Sequence, residues 1–449
     1  MGISQDIKNI LLINPTSDSN IYFNSKFRLK SNNYVMPLGL CCVAAPLIEV
    51  GHKVEICDLN LLGFGALWQD YLFNMEPDYI GITSTTSTIY TVYYDLIGYI
   101  KGFIKGKKLK TEIILGGSHA TACPEETAEH SDWVCWGEGD NYILSHINMQ
   151  KSSCSPTNLD NLPFPAYHLL DAKKYTHSLL LARKSPVGLI ETSRGCHGRC
   201  TFCVKGKDNK MRFKSTNRVV DEMETLLSLG YREIHIIDDN FTADTDRVYG
   251  ICDEIRARKL KFSWYPRNGI RVDRVSHDIL KAMKDVGCYR IPFGVESGSQ
   301  RVLDRVGKRI TLKQVENAVW LAKKAGMETQ AYFMIGLPGE TKDDLDATCA
   351  FAKKLSPDLA KFSIMIPLPG TQVFKSYDKR GLIKSKDWSK YHFGGNLSEV
   401  YDHDTLDWDT IRRYSKKCYL EFYLNVRRIG SAFRILRGLI WNGLKNSIV

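Results

Sequence analysis

Three cysteines, in the run Cys196-His197-Gly198-Arg199-Cys200-Thr201-Phe202-Cys203, carry the most specific chemistry in this 449-residue chain. At spacings of four and three, their thiolates can hold three irons of a [4Fe-4S] cluster and leave the fourth iron without a protein ligand. Such an iron is a reactive position, just as an open coordination position separates a catalytic metal site from a structural one. A zinc knuckle is the rival reading. It would want a fourth ligand, and the nearby candidate, His197, lies between two of the proposed ligands, where it would strain the loop.

More residues suited to a ligand fall at the ends of apolar strand-like runs downstream. Asp238-Asp239-Asn240-Phe241 follows Glu233–Ile237, Glu296-Ser297-Gly298 follows Arg290–Phe293, and Ile335-Gly336-Leu337-Pro338-Gly339-Glu340 ends the run from Gln330. These segments, in this order behind the cysteine loop, resemble the radical S-adenosylmethionine (SAM) superfamily. The resemblance implies that SAM chelates the open iron, and that an electron from the cluster splits its sulfonium into a 5′-deoxyadenosyl radical. It implies Phe202 beside the adenine, Asp238 and Asp239 near the amino group, and Glu296 and Ser297 at the ribose hydroxyls or methionine end. Backbone near Ile335 and Gly336 would meet adenine. Each has a plainer alternative: packing for Phe202, a helix N-cap for Asp239 or Asn240, and a cap of the helix beginning at Gln300 for Glu296 and Ser297. His197 departs from the proline of many relatives but removes no ligand.

The elements that must position these residues form a strand–helix series from Val187. Strands are expected at Val187–Thr192, Glu233–Ile237, Phe262–Trp264, Arg290–Phe293, Gln330–Ile335 and Ala360–Ile364, with helices such as Val219–Leu229 and Leu312–Lys324 between them. Six βα units predict a partial (βα)6 TIM-like barrel, whose chemistry collects at the strands' C-terminal ends.

A separate series precedes it. Ile10–Ile13, Val54–Cys57, Tyr79–Ile82, Glu112–Leu115 and Asp132–Cys135 read as short buried strands, with helices after Pro37 and from about Ile89. This predicts an α/β fold, a doubly wound parallel sheet covered on both faces. Its ligand crevice would lie beyond the strand ends, at Thr83-Ser84-Thr85, Gly116-Gly117-Ser118-His119 and Gly137-Glu138-Gly139. Together with Pro37-Leu38-Gly39-Leu40 and Gly51-His52-Lys53-Val54-Glu55, these pieces resemble the cobalamin-binding domain of the B12-dependent radical SAM family. The resemblance implies a cobalamin pocket made by Leu38, Gly39, Thr83, Ser84, Gly116, Gly117, His119, Gly137 and Glu138. A doubly wound domain without a ligand is the alternative. No Asp-x-His-x-x-Gly motif occurs, so cobalamin is expected base-off and without a histidine ligand, with His119 lining the pocket or bonding locally.

The organisation expected is a cobalamin-binding Rossmann-like domain at 1–145, a proline-containing linker at 146–185, the barrel at 186–375 and a mainly helical region at 376–449. Hydrophobic content of 43% and charged content of 25% are those of a globular protein. No run of eighteen apolar residues and no signal-peptide pattern occur, and thirteen cysteines without a framework point to a reducing cytosol and not a disulfide scaffold. The net charge of +11 admits a nucleic-acid partner, but no zinc-finger or aromatic RNA-binding pattern accompanies it. Part of the excess is a lysine cluster, Lys101 to Lys110, read as a helix terminus. The rest lies in a basic tail, where Ile429, Phe433, Leu436, Ile440 and Leu444 recur at helical spacing. Residues 425–449 therefore suit either an anionic membrane surface or docking on the barrel.

The family resemblance implies a cytoplasmic methyltransferase acting on an unactivated carbon, in which one SAM methylates cobalamin and another generates the radical. The implied partners are a low-potential donor of flavodoxin or ferredoxin type and a small-molecule or lipid-like substrate. The alternatives are a cyclase or oxidative rearrangement enzyme of the same family, and a non-enzymatic cobalamin or cluster sensor.

Overall fold

A computed structural model describes residues 6–16, 34–62, 66–148, 156–178, 180–204, 210–392 and 395–424. The basic tail at 425–449 lies outside them. In the N-terminal part, β1 (Asn9–Asn14), β2 (Lys53–Asp58), β3 (Tyr79–Thr83), β4 (Glu112–Gly116) and β5 (Trp133–Val134) form one parallel sheet in the order β2-β1-β3-β4-β5. The order reverses between β1 and β3, which places the crevice of a doubly wound sheet beyond their carboxyl ends. The β1, β3 and β4 runs are apolar on both faces because both faces are covered. Ile10 and Leu12 pack with Leu38, Leu40 and Leu47 of helix Leu38–Glu49, whereas Leu11 and Ile13 join a second core with Val92, Leu96 and Ile100. The lysine cluster falls where expected, with Lys105 and Lys107 in the last turn of helix Ile97–Lys107 and Lys108 its left-handed cap.

The connector straps the two halves together through short turns at Leu159–Asn161, Tyr167–Leu169 and Ala172–Lys174. Ala166 N–H donates to Cys41 O at 2.9 Å, and Tyr175 Oη donates to Asp58 Oδ2 at 3.0 Å.

Downstream, β6 (Val187–Ile190) is followed by β7 (Ser193–Arg194) and β8 (Arg212–Phe213), a short antiparallel pair that closes the base of the cysteine loop. The remaining strands are β9 (Glu233–Ile236), β10 (Ser263–Pro266), β11 (Arg290–Glu296), β12 (Glu328–Ile335) and β13 (Leu359–Ile364). They form two parallel sheets, β6-β9-β10 and β11-β12-β13, joined by bridges Trp264–Cys288 and Ile270–Phe293. No pairing joins β6 to β13 among the described residues, so the barrel is open. Its helices start where the sequence supplies a cap. Ser215, Asp244, Ser276, Thr311 and Thr341 each accept the N–H three residues on.

Beyond the barrel, Trp388, Tyr391, Val400 and Tyr401 pack into the second core, against the N-terminal sheet. Helix Trp408–Tyr423, capped by Asp407, packs on β13. Cys349 and Cys418, 69 residues apart, form a disulfide between helix Lys342–Leu355 and helix Trp408–Tyr423. The pairing required the two helices to meet, which sequence spacing did not reveal.

Candidate active site

The cysteine loop leaves β7 through Gly195, whose φ of +92° and position 2.4 Å from Lys210 O, measured to an added Cβ, admit glycine alone without a shift of backbone. The loop is then pinned to the barrel. Thr201 N–H donates to Val306 O at 2.9 Å, and Val373 N–H donates to Thr201 O at 3.1 Å. Cys196, Cys200 and Cys203 converge. A Cβ at Gly198 would lie 3.2 Å from Cys196 Sγ, 3.9 Å from Cys200 Sγ and 3.8 Å from Arg271 Nη1. The Cys203 thiol donates to the Cys200 sulfur, which pulls the Cys200 thiol below its usual range and pushes Cys203 up; burial opposes the Cys200 shift, and the Lys308 charge favours it. Three convergent thiols held beside cations are a donor set that fits an iron–sulfur cluster.

Glu296 ends β11 in a left-handed conformation, φ +66°, after a register shift against β12, and accepts from Lys308 Nζ at 2.7 Å. Lys308 and Arg271 are functional candidates that the sequence did not single out. Lys308 reaches the cysteines only because Gly307, at φ +69°, turns the chain against Arg199.

Other expected SAM contacts divide. Asp239 is exposed and accepts from Gly195 N–H, just ahead of the cysteines. Asp238 is turned inward, a correction: its carboxylate accepts from Thr192 N at 2.6 Å and from Ser193 Oγ at 2.6 Å, with Arg247 at 3.6 Å. The N-cap alternative fails too, since Asp244 caps the next helix and the Asn240 side chain makes no cap bond. Ser297 is fully buried, with its Oγ 3.2 Å from Thr348 Oγ1 and accepting from Ser299 N–H, so its hydroxyl serves a local turn and not a diol. Ile335 is buried, and Gly336 N–H donates to Glu340 Oε2 at 2.7 Å, so that amide is already satisfied within the chain. Phe202 is half-buried against the second core, the packing role.

At the crevice, Gly39 and Gly137 have nothing within 4 Å of an added Cβ, the open backbone that a large planar ligand needs. Leu38 is buried at the head of its helix. Thr83 Oγ1 lies 3.1 Å from an added Cβ at Gly117, whose φ is +101°. Ser84 Oγ donates to Gly116 O at 2.8 Å, a correction that removes its hydroxyl from the ligand side. His119 is likewise turned in, with its ring buried beside Thr86, Tyr93 and Trp388. Glu138 is also corrected: it accepts from Arg194 Nη1 at 2.6 Å and pairs with Arg212, both on the barrel side. Asp140 takes Arg194 bidentately. The Gly-Glu-Gly-Asp segment therefore clamps the N-terminal sheet to the residue two before Cys196.

A doubly wound domain with an open crevice, joined to an open barrel that gathers three thiols, defines a two-cofactor class of enzyme. Comparison bears this out. Residues 190–352 match the radical SAM superfamily and residues 25–144 match the B12 binding domain. An uncharacterized methyltransferase of Pyrococcus horikoshii is 32% identical over 86% of this chain and 88% of its own length. A cytidylyl-2-hydroxyethylphosphonate methyltransferase of Streptomyces wedmorensis is 26% identical, over 85% and 83%. The solved structure of OxsB, a cobalamin-dependent SAM radical enzyme with aqua-cobalamin and SAM bound, superposes with TM-score 0.73 at 18% identity, over 94% of this chain and 67% of that one. The chain belongs to the cobalamin-binding radical SAM family, and its cofactors are the [4Fe-4S] cluster, SAM and cobalamin.

Proposed function

We propose that this enzyme transfers a methyl group to an unactivated carbon of a small molecule. The observation that carries the reading is the Arg194 clamp, which couples the crevice-side segment Glu138–Asp140 to the loop of Cys196, Cys200 and Cys203. When bound, the cluster and SAM supply a radical able to remove a hydrogen, and cobalamin supplies a methyl carrier. The residues have separable tasks. Cys196, Cys200 and Cys203 hold the cluster, while Lys308 and Arg271 stabilise its negative charge. Glu296, ion-paired to Lys308, and Asp239, facing the cysteine loop, are the acids poised for the SAM diol and ammonium. Gly39 and Gly137 would leave room for the corrin, and the inward ring of His119 would take no part in holding it. The electron donor is a flavodoxin or ferredoxin. No described helix is long and apolar enough to cross a membrane.

The test is anaerobic purification from cobalamin-fed cells, with cobalamin quantified by spectrum and mass, followed by a search for products heavier by one methyl group. Stoichiometric cobalamin is expected. Folded protein with an intact cluster and no cobalamin overturns the methyl-transfer reading. Alanine at Cys196, Cys200 or Cys203 abolishes 5′-deoxyadenosine formation; retention of it in a reconstituted variant overturns the cluster assignment.

A further inference from the structure

We propose that His119, Cys123 and Glu126 form a second metal site, distinct from the cysteine loop, that takes a zinc-type divalent transition metal. The residues lie at spacings of four and three on two consecutive short helices, Ser118–Ala122 and Pro124–Ala128, with Cys123 at the junction. Their donor atoms, an imidazole nitrogen, a thiol sulfur and a carboxylate oxygen, all lie within 4.8 Å of one another.

The imidazole supplies the independent observation. His119 is 0% exposed, and its Nε2 is buried with no hydrogen-bond partner. An unsatisfied buried nitrogen is costly, so a fold that keeps one aimed at a thiol and a carboxylate calls for a ligand between them. The nearest oxygen, Glu126 Oε1, lies 3.5 Å away. That is long for a hydrogen bond, but near the roughly 3.3 Å edge expected when N and O both sit about 2.0–2.1 Å from a tetrahedral centre.

The donors are also oriented from behind. His119 Nδ1 is 3.3 Å from Thr86 Oγ1, which leaves Nε2 for the metal. Trp388 Nε1 donates to both oxygens of Glu126, at 2.8 and 3.0 Å. Supporting bonds of this kind fix the direction of metal ligands. A set of one sulfur, one imidazole and one carboxylate suits zinc over magnesium or calcium, which take oxygen ligands, and it leaves a fourth position for water. On binding, the Cys123 thiol proton leaves to solvent. The metal would tie helices Ser118–Ala122 and Pro124–Ala128 to each other directly after Gly116-Gly117, while Glu126 keeps its hydrogen bonds from Trp388.

The test uses full-length, cluster-loaded protein equilibrated with zinc chloride and desalted, with zinc and iron counted by mass spectrometry and the zinc environment read by X-ray absorption. One retained zinc per chain with a single sulfur neighbour is expected. Cys123→Ala should weaken zinc retention at least tenfold while iron content stays that of the wild type. Glu126→Gln, which keeps side-chain shape, should also weaken it. No retained zinc, equal retention by Cys123→Ala, or a zinc with no sulfur or several sulfurs overturns the proposal and leaves a His–Glu contact without metal. The iron count reports on the cysteine loop separately, so failure of this site is distinguishable from failure of the cluster.

Discussion

Arg194 grips Asp140 through both terminal nitrogens, at 2.7 and 2.9 Å, across 54 residues of sequence. Asp140 is 5% exposed, and Arg194 also binds Glu138 and Glu191. The segment entering the cluster loop is thus held by acids from the crevice side of the N-terminal sheet. Removing one partner of a buried, hydrogen-bonded pair strands the other charge, at a cost of roughly 3–5 kcal/mol. Arg194→Met, which strands Asp140 and Glu191 while Glu138 keeps Arg212, is expected to lower the denaturation midpoint more than Asp140→Asn. Equal and small effects in urea titrations would show that the clamp is incidental.

The cysteines differ in reactivity before the cluster is loaded. The Cys203 hydrogen bond, ahead of the Lys308 charge, pulls the Cys200 thiol below the usual thiol range and favours its thiolate. Alkylation of cluster-free protein, followed by peptide mass mapping, should modify Cys200 well below the usual thiol pH. Cys203→Ala should move that profile to higher pH by more than Lys308→Met does. The reverse order would sink this account.

Glu340 carries a pH signature. Burial raises its carboxyl from 4.5 to about 8, although the Gly336 and Leu337 amides oppose the shift. Between those values the folded state keeps a proton that the unfolded state releases, so this group's contribution to stability falls as pH rises from about 4.5 to 8. Glu340→Gln retains an acceptor for the two amides and should flatten that decline. Thermal melts across the window, wild type minus variant, give the slope; parallel curves would rule the effect out.

The Cys349–Cys418 disulfide closes a 69-residue separation. Cross-links over such distances typically contribute about 2–4 kcal/mol. Reductant should lower the stability of the wild type and leave Cys418→Ser unchanged. Identical sensitivity of the two proteins would assign the effect elsewhere.

Much of this protein is determined locally. Strands β1, β3 and β4 of the first sheet are legible because both of their faces are buried, which makes them short apolar runs. Barrel strands β6, β9, β10 and β11 follow for the same reason, and the helix starts follow from Ser, Thr and Asp caps. The cysteine spacing points to cluster chemistry because here all three ligands fall on one short loop, Cys196–Cys203. What the tertiary structure decided is where each polar side chain points. Asp238 and Asp239 are neighbours of one type, yet the first is enclosed by Thr192, Ser193 and Arg247 and the second faces Gly195. Glu138 and Ser84 sit at strand ends where ligands bind, yet one pairs with Arg194 and the other with Gly116. Lys308 and Arg271 reach the cysteines from other turns of the barrel. Periodicity and spacing report what lies along the chain, whereas a hydrogen-bond partner is set by which distant segments the packed core brings within 3 Å.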